Sequence, residues 1–214
     1  MQYTISSTKK KLEGEIVLPT SKSISNRVLI INALAYSPFP ISNLSDSDDT
    51  RVMKQVLNSN TDKFDIGHAG TAMRFLTAFL SKIVGKWEIT GSERMQQRPI
   101  KILVDALNSL GGKIEYIHNE GYPPLCIYGS NLKGGELELD GSISSQYISA
   151  LLMIAPTIEN GLTLTLTNKI TSASYIDLTL KLMAKFGIQY DWEGNQISIP
   201  EQSYRAVSYT VEAD

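Results

Sequence analysis

Helical and strand-like spacings of apolar residues alternate along this 214-residue chain, and the alternation repeats. Ile100, Leu103, Val104, Leu107 and Leu110 recur at three and four, the stripe of an amphipathic helix, as do Leu180, Met183 and Phe186. Each stripe ends at a glycine, Gly111 or Gly187, suited to the left-handed position after a helix. A strand follows in each case, Lys113-Ile114-Glu115-Tyr116-Ile117 or Ile188-Gln189-Tyr190-Asp191-Trp192. A turn (Asn119-Glu120-Gly121, Glu193-Gly194-Asn195) then leads to a second strand. The two stretches align at an offset of 76, Gly111 on Gly187, and the offset carries upstream, placing 85–90 on 161–166 and 69–76 on 145–152. The unit reads strand, helix, strand, helix, strand, strand.

A weaker third copy opens the chain. Gly14-Glu15-Ile16-Val17-Leu18 reads as a strand echoing Gly135-Glu136-Leu137-Glu138-Leu139, and the apolar run 28–35 follows as a helix. Its second helix, 50–57, runs almost straight into Phe64-Asp65-Ile66, so a loop over 58–62 replaces the hairpin. Self-similarity at this scale predicts one α/β domain of about three βαβαββ units, the first shortened.

Each unit starts its first helix with a polar cluster: Ser21-Lys22-Ser23-Ile24-Ser25-Asn26-Arg27, His68-Ala69-Gly70-Thr71-Ala72-Met73-Arg74 and Ser142-Ile143-Ser144-Ser145-Gln146. Unpaired N–H groups and the helix dipole favour an anion at such ends. Lys22 and Arg27 add full charges, and Arg offers a planar fork for carboxylate or phosphate. Three-fold packing would converge these ends on one shared anion pocket. The second-helix starts would join them, at 92–99 with Arg94 and Arg98 before Pro99, and at 171–175 with Ser172. On the residues alone, ordinary serine caps beside solvated cations remain an open alternative.

Composition narrows the class. Hydrophobic residues make up 42% and charged residues 20%, with net charge −2, so nothing favours a general nucleic-acid or anionic-membrane surface. An anion site must then be a local concentration of cations. The single cysteine, Cys126 in Leu125-Cys126-Ile127-Tyr128, excludes an internal disulfide framework and reads as a buried strand thiol in a reducing compartment. No basic segment precedes an apolar one and no apolar run reaches about 18 residues, so a soluble, cytoplasmic protein is expected. His68 and His118 lack metal-ligand spacing, and neither metal nor cofactor is expected. Arg74 reads as a solvated or ion-paired residue, Tyr147 and Tyr175 as core or lining residues. Asp46, Asp48 and Asp49 read as caps for a helix from Thr50.

Taken together, these clusters resemble the 5-enolpyruvylshikimate-3-phosphate (EPSP) synthase family. The matching pieces are the stretch from Pro19 to Arg27, Asp46-Ser47-Asp48-Asp49-Thr50 and Gly67-His68-Ala69-Gly70-Thr71-Ala72-Met73-Arg74. Further along are Arg94-Met95-Gln96-Gln97-Arg98-Pro99-Ile100, Asp140-Gly141-Ser142-Ile143-Ser144-Ser145-Gln146-Tyr147 and Tyr175-Ile176-Asp177-Leu178-Thr179-Leu180. The resemblance implies an inside-out α/β domain with helices within. It also implies transfer of the enolpyruvyl group of phosphoenolpyruvate to the 5-hydroxyl of shikimate 3-phosphate, releasing phosphate. By motif, Lys22 contacts both substrates and is the catalytic candidate; Ser23 and Arg27 hold the shikimate portion. Ser144, Ser145 and Ser172 grip the 3-phosphate, Gln146 lies between the ligands, and Gly70 and Arg98 hold phosphoenolpyruvate.

Departures from the family pattern are Thr20 where Gly is usual, His68 where Asn is usual and Phe75 where Pro is usual. The family closes two such domains around its substrates. The resemblance therefore implies that 1–18 is a segment near the interdomain crossover, 19–210 the shikimate-phosphate-binding domain and 211–214 the start of the crossover to a second domain carrying the acid/base groups. Two alternatives compete. The sibling enolpyruvyl transferase acting on UDP-N-acetylglucosamine would carry Asn beside its first Lys, where this chain has Ser23. A non-catalytic βαβαββ RNA-binding module would carry a basic, aromatic sheet surface.

Overall fold

The computed structural model describes residues 13–213 together with Tyr3, Thr4, Ser6 and Lys11. The rest of the expected N-terminal segment, and Asp214 of the expected crossover, lie outside the described residues. The second unit runs β2 (Lys63–Asp65), α3 (Gly70–Lys82), β3 (Gly85–Thr90), α4 (Lys101–Ser109), β4 (Lys113–Tyr116) and β5 (Leu125–Gly129). The third runs β6 (Lys133–Asp140), α5 (Ser145–Ile154), β7 (Glu159–Thr167), α6 (Ala173–Lys185), β8 (Asp191–Glu193) and β9 (Gln196–Ile199). Their sheets have the same order, β2-β3-β5-β4 and β6-β7-β9-β8, the first pair parallel and the others antiparallel.

The units match in detail. Asp65 and Asp140 each accept the N–H two residues on, from Gly67 at 2.9 Å and Ser142 at 2.7 Å. Ile66 N–H donates to Thr90 O as Gly141 N–H does to Thr167 O. Asp65 therefore corresponds to Asp140 and Thr90 to Thr167, an offset of 75 on one strand and 77 on the next, where the sequence predicts a uniform 76. Gly111 and Gly187, each at φ 87°, restore the predicted register.

The first unit contains α1 (Lys22–Leu34), β1 (Ile41–Ser42) and α2 (Asp48–Leu57). As expected, a loop joins α2 to β2. The expected strand 14–18 is absent: these residues pair with no strand, and Ile16 and Val17 are exposed. A short apolar run alone does not make a strand without a partner ladder to satisfy its backbone. The unit is completed instead by β10 (Tyr209–Thr210), parallel to β1, and by a bridge from Thr20 to Ala213. The strand expected at 188–192 is likewise shorter and begins at Asp191.

Layering follows burial. Helices α1, α3 and α5 are buried on nearly every side, with Val28, Ile31, Ala72, Leu76, Leu151 and Leu152 at 0% exposure, so they form the interior. The four-stranded sheets lie outside them. On β7, Leu162, Leu164 and Leu166 face in while Thr163 and Thr165 face out, the half-buried alternation of a sheet with one wet face. Helices inside and sheets outside is the inside-out arrangement.

The paired glycines give a test. Gly111→Ala should destabilise the chain by about 1–2 kcal/mol through backbone strain alone, since open space surrounds the position. Gly187→Ala should cost more, because its Cβ would lie 2.8 Å from Arg205 Cδ. Urea-unfolding midpoints that leave either variant at wild-type stability would contradict the left-handed turn assigned to both.

Candidate anion-binding site at the helix N-termini

The starts of α1, α3, α5 and α6 meet around one cavity of about 290 Å³, lined by Lys22, Ser23, Asn26, Arg27, Thr71, Ser144, Ser145, Gln146 and Tyr175. A larger hollow, about 590 Å³, lies at the opposite ends of the interior helices against Leu34, Ile83 and Pro156. Helix C-termini repel anions, so the smaller cavity fits the polar clusters.

The α1 and α5 ends are capped by their own serines: Ile24 N–H donates to Ser21 Oγ at 3.3 Å and Gln146 N–H to Ser144 Oγ at 3.4 Å. At α3 the corresponding residue is Ala69, which has no capping atom. Asp49, from the first turn of α2, takes its place: Oδ1 accepts from Thr71 N–H at 2.7 Å and Ala72 N–H at 3.3 Å. Its Oδ2 stands 3.7 Å from Lys22 Nζ. This corrects the expectation that Asp46, Asp48 and Asp49 cap a helix from Thr50. Helix α2 starts at Asp48, which pairs with Arg51, and Asp49 serves a different helix.

Arg27 is 3% exposed, with no carboxylate beside it among the described residues. Nε donates to Thr179 Oγ1 at 2.7 Å, Nη1 to Ser23 O at 2.9 Å and Nη2 to Ser149 Oγ at 3.0 Å, and the rings of Phe75 and Tyr175 flank the guanidinium. Burial lowers its pKa to about 10, partly offset by Tyr175. A buried cation held by neutral groups at a cavity wall is poised for an anion. Asn26 Nδ2, also buried at that wall, has no hydrogen-bond partner among the described residues.

Gln146 Nε2 donates to Thr71 Oγ1 at 3.2 Å, tying the third unit to the second. Arg74, expected to be solvated or ion-paired, is instead 4% exposed and bonds no acid. Nη1 donates to Gly70 O at 3.2 Å and Nη2 to Pro99 O at 2.9 Å, where Tyr147 OH also donates, at 2.6 Å. Burial lowers its pKa, chiefly countered by Tyr147. Arg74 and Tyr147 thus fix the backbone at Pro99, next to Arg98.

Arg98 lines a neighbouring hollow with His68, Arg94 and Met95, and its guanidinium lies over Gly70, where a Cβ would meet Nη1 at 2.3 Å. Gly70 leaves room for that guanidinium, which would have to swing aside to admit a Cβ. His68 bonds Ser92 Oγ at 2.8 Å. Ser172 is the N-cap residue of α6 with no capping bond from its side chain, and it is not among the residues lining the central cavity. Tyr175, one turn on, is. Lys22, Ser23, Arg27, Ser144, Ser145 and Gln146 therefore gather at one cavity, with Gly70 and Arg98 beside the next.

A family model described as EPSP synthase (3-phosphoshikimate 1-carboxyvinyltransferase) matches residues 6–59 and 54–214. The chain belongs to the EPSP synthase family. It is 54% identical over 215 residues to the 3-phosphoshikimate 1-carboxyvinyltransferase of Bacteroides fragilis (strain YCH46), covering all of this chain and 52% of that protein. It is 42% identical over 206 residues to the enzyme of that name from Pseudoalteromonas translucida, covering 85% of this chain and 48% of the relative. The chain thus spans about half the length of the curated relatives it matches. The solved structure of EPSP synthase from Acinetobacter baumannii superposes with TM-score 0.82 at 22% identity, over 94% of this chain and 50% of that one, and shows the shared inside-out fold.

Asn26, Thr71 and Asp49 were not singled out as site residues from sequence. Asn26 and Thr71 sit inside the matched motifs, but neither announces its direction. Asp49 reads as a local cap.

The Arg27 environment predicts a pH effect. The folded pKa lies below the unfolded value, so above about pH 10 the folded chain loses this proton while the unfolded chain keeps it, and stability rises relative to a variant lacking the group. The unfolding free energy of wild type minus that of Arg27→Met should increase by about 1 kcal/mol between pH 8 and 11. A flat or falling difference would show that burial does not depress this guanidinium.

Proposed function

We propose that this chain is the shikimate-3-phosphate-binding half of an enzyme that transfers the enolpyruvyl group of phosphoenolpyruvate to the 5-hydroxyl of shikimate 3-phosphate, releasing phosphate. The observation that carries the reading is the convergence of Lys22, Arg27, Ser144, Ser145 and Gln146 on one cavity, with Arg98 and Gly70 beside it. Ser144 and Ser145 supply hydroxyls for the 3-phosphate at the α5 start, with Ser172 a further hydroxyl at the start of α6. Ser23 and the Arg27 fork hold the shikimate portion. Phosphoenolpyruvate sits toward Gly70 and Arg98, and Lys22 and Gln146 lie between the two ligands. Juxtaposition then provides proximity, and the cations stabilise charge developing during transfer.

The transfer also needs a positioned acid and base for the methylene and the hydroxyl. Among Asp46, Asp48, Asp49 and Asp177, Asp177 pairs with Lys181 at an exposed position and Asp48 with Arg51, Asp49 is engaged at α3 and Asp46 is exposed. That supports a second domain, following a crossover near 211–214, as the source of these groups and as the lid over the cavity. Residues 1–18 and 19–210 keep the roles that the resemblance implies, in a cytoplasmic enzyme with no cofactor. Ser23 after Lys22 favours shikimate 3-phosphate over UDP-N-acetylglucosamine, and the acidic net charge disfavours RNA.

Calorimetric titration tests the ligand. Shikimate 3-phosphate should bind this chain, and Ser144→Ala with Ser172→Ala should weaken it by about 1.5–3 kcal/mol per lost charge-assisted hydrogen bond. Affinity no greater than for unphosphorylated shikimate, or preference for UDP-N-acetylglucosamine or RNA, would overturn the reading.

Turnover tests the half-enzyme reading. Phosphate release from the two substrates should stay at background with residues 1–214 and appear when the remainder of the enzyme is added. Turnover by the chain alone would place the acid and base within it.

A further inference from the structure

The three interior helices start in equivalent places, yet only α3 is closed by a charge from another unit. Serines cap α1 and α5 locally, and these neutral caps leave the Ser23 and Ser145 N–H groups without hydrogen bonds among the described residues. At α3, the N–H groups of Thr71 and Ala72 are both held by Asp49, and its other oxygen faces Lys22. The carboxylate side chain is 16% exposed. It occupies the position where a phosphate would otherwise meet the positive end of α3. The Gly70 N–H, beneath the Arg98 guanidinium, carries no hydrogen bond among the described residues.

We propose that Asp49 is a specificity-determining residue: its carboxylate closes the N-terminus of α3 to free anions and holds Lys22 beside it. A phosphate in the central cavity is thereby directed to the serines at α5. At α3, only a ligand long enough to reach Gly70 and Arg98 finds a donor. The arrangement lets two anionic ligands occupy adjoining compartments without either settling on the helix end between them. Only the identity of the preferred ligand rests on the function proposed above; the closure of α3 does not.

The test compares wild type, Asp49→Asn and Asp49→Ala, using inorganic phosphate as the probe, followed by amide NMR and calorimetry. In Asp49→Ala the Thr71 and Ala72 amide signals should shift with phosphate, and phosphate affinity should rise about tenfold, the order of one charge-assisted hydrogen bond. The ratio of shikimate 3-phosphate to phosphate affinity should fall with it. In wild type both amides should stay silent, and in Asp49→Asn, which keeps an acceptor oxygen, they should remain so. Wild-type Thr71 and Ala72 amides that respond to phosphate would overturn the proposal, as would an unchanged phosphate affinity in Asp49→Ala. If Asp49→Ala does not fold, the wild-type and Asn amides decide on the same criterion. Failure of wild type to bind shikimate 3-phosphate would sink the proposed function and leave the phosphate comparison intact.

Discussion

The site depends on one constraint: α1, α3 and α5 are buried along nearly their whole length, and the N–H groups at their starts must find partners where these ends meet. Backbone donors without partners are costly away from water. Polar residues concentrate there because the ends need them, and the cavity forms because caps do not fill the space. The cations follow from the same geometry. Arg27 reaches its place through Ser23, Ser149 and Thr179, residues of three helices, so the interior packing itself aims the guanidinium.

The two cavities differ in how their cations are held. Arg27 is enclosed by neutral groups and aromatic rings, which keeps its charge uncompensated beside the central cavity. Arg98 is exposed, but the backbone at Pro99 is fixed by Arg74 and Tyr147, and its guanidinium rests on Gly70. One compartment therefore presents a buried, preset charge. The other presents an exposed side chain on a fixed stretch of backbone.

Much of this was legible in the chain. The repeat, the shortened first unit and the polar helix starts come from period and spacing, which survive because each unit buries the same helix face. The one-residue slips around the 76-residue offset were not, since aligned letters cannot show which way a strand residue faces. The strand expected at 14–18 is absent because a β-prone apolar run supplies no ladder partner. Asp49 was misread for a similar reason: a carboxylate near a helix start looks like its own cap, whereas Ala69 left another helix without one, and only packing brings the two together. Arg74 reads as solvated or ion-paired in sequence because its acceptors are backbone carbonyls, which leave no charge signature there.

The most direct measurement of the central claim is the set of backbone amides perturbed when shikimate 3-phosphate is titrated into the chain. Shifts should be largest together at the starts of α1, α5 and α6, around Lys22–Ser23, Ser144–Gln146 and Ser172–Tyr175, three segments far apart in sequence. Perturbation confined to one of these segments, or centred on the hollow at the far helix ends near Leu34 and Pro156, would contradict the convergence of helix N-termini as the binding site.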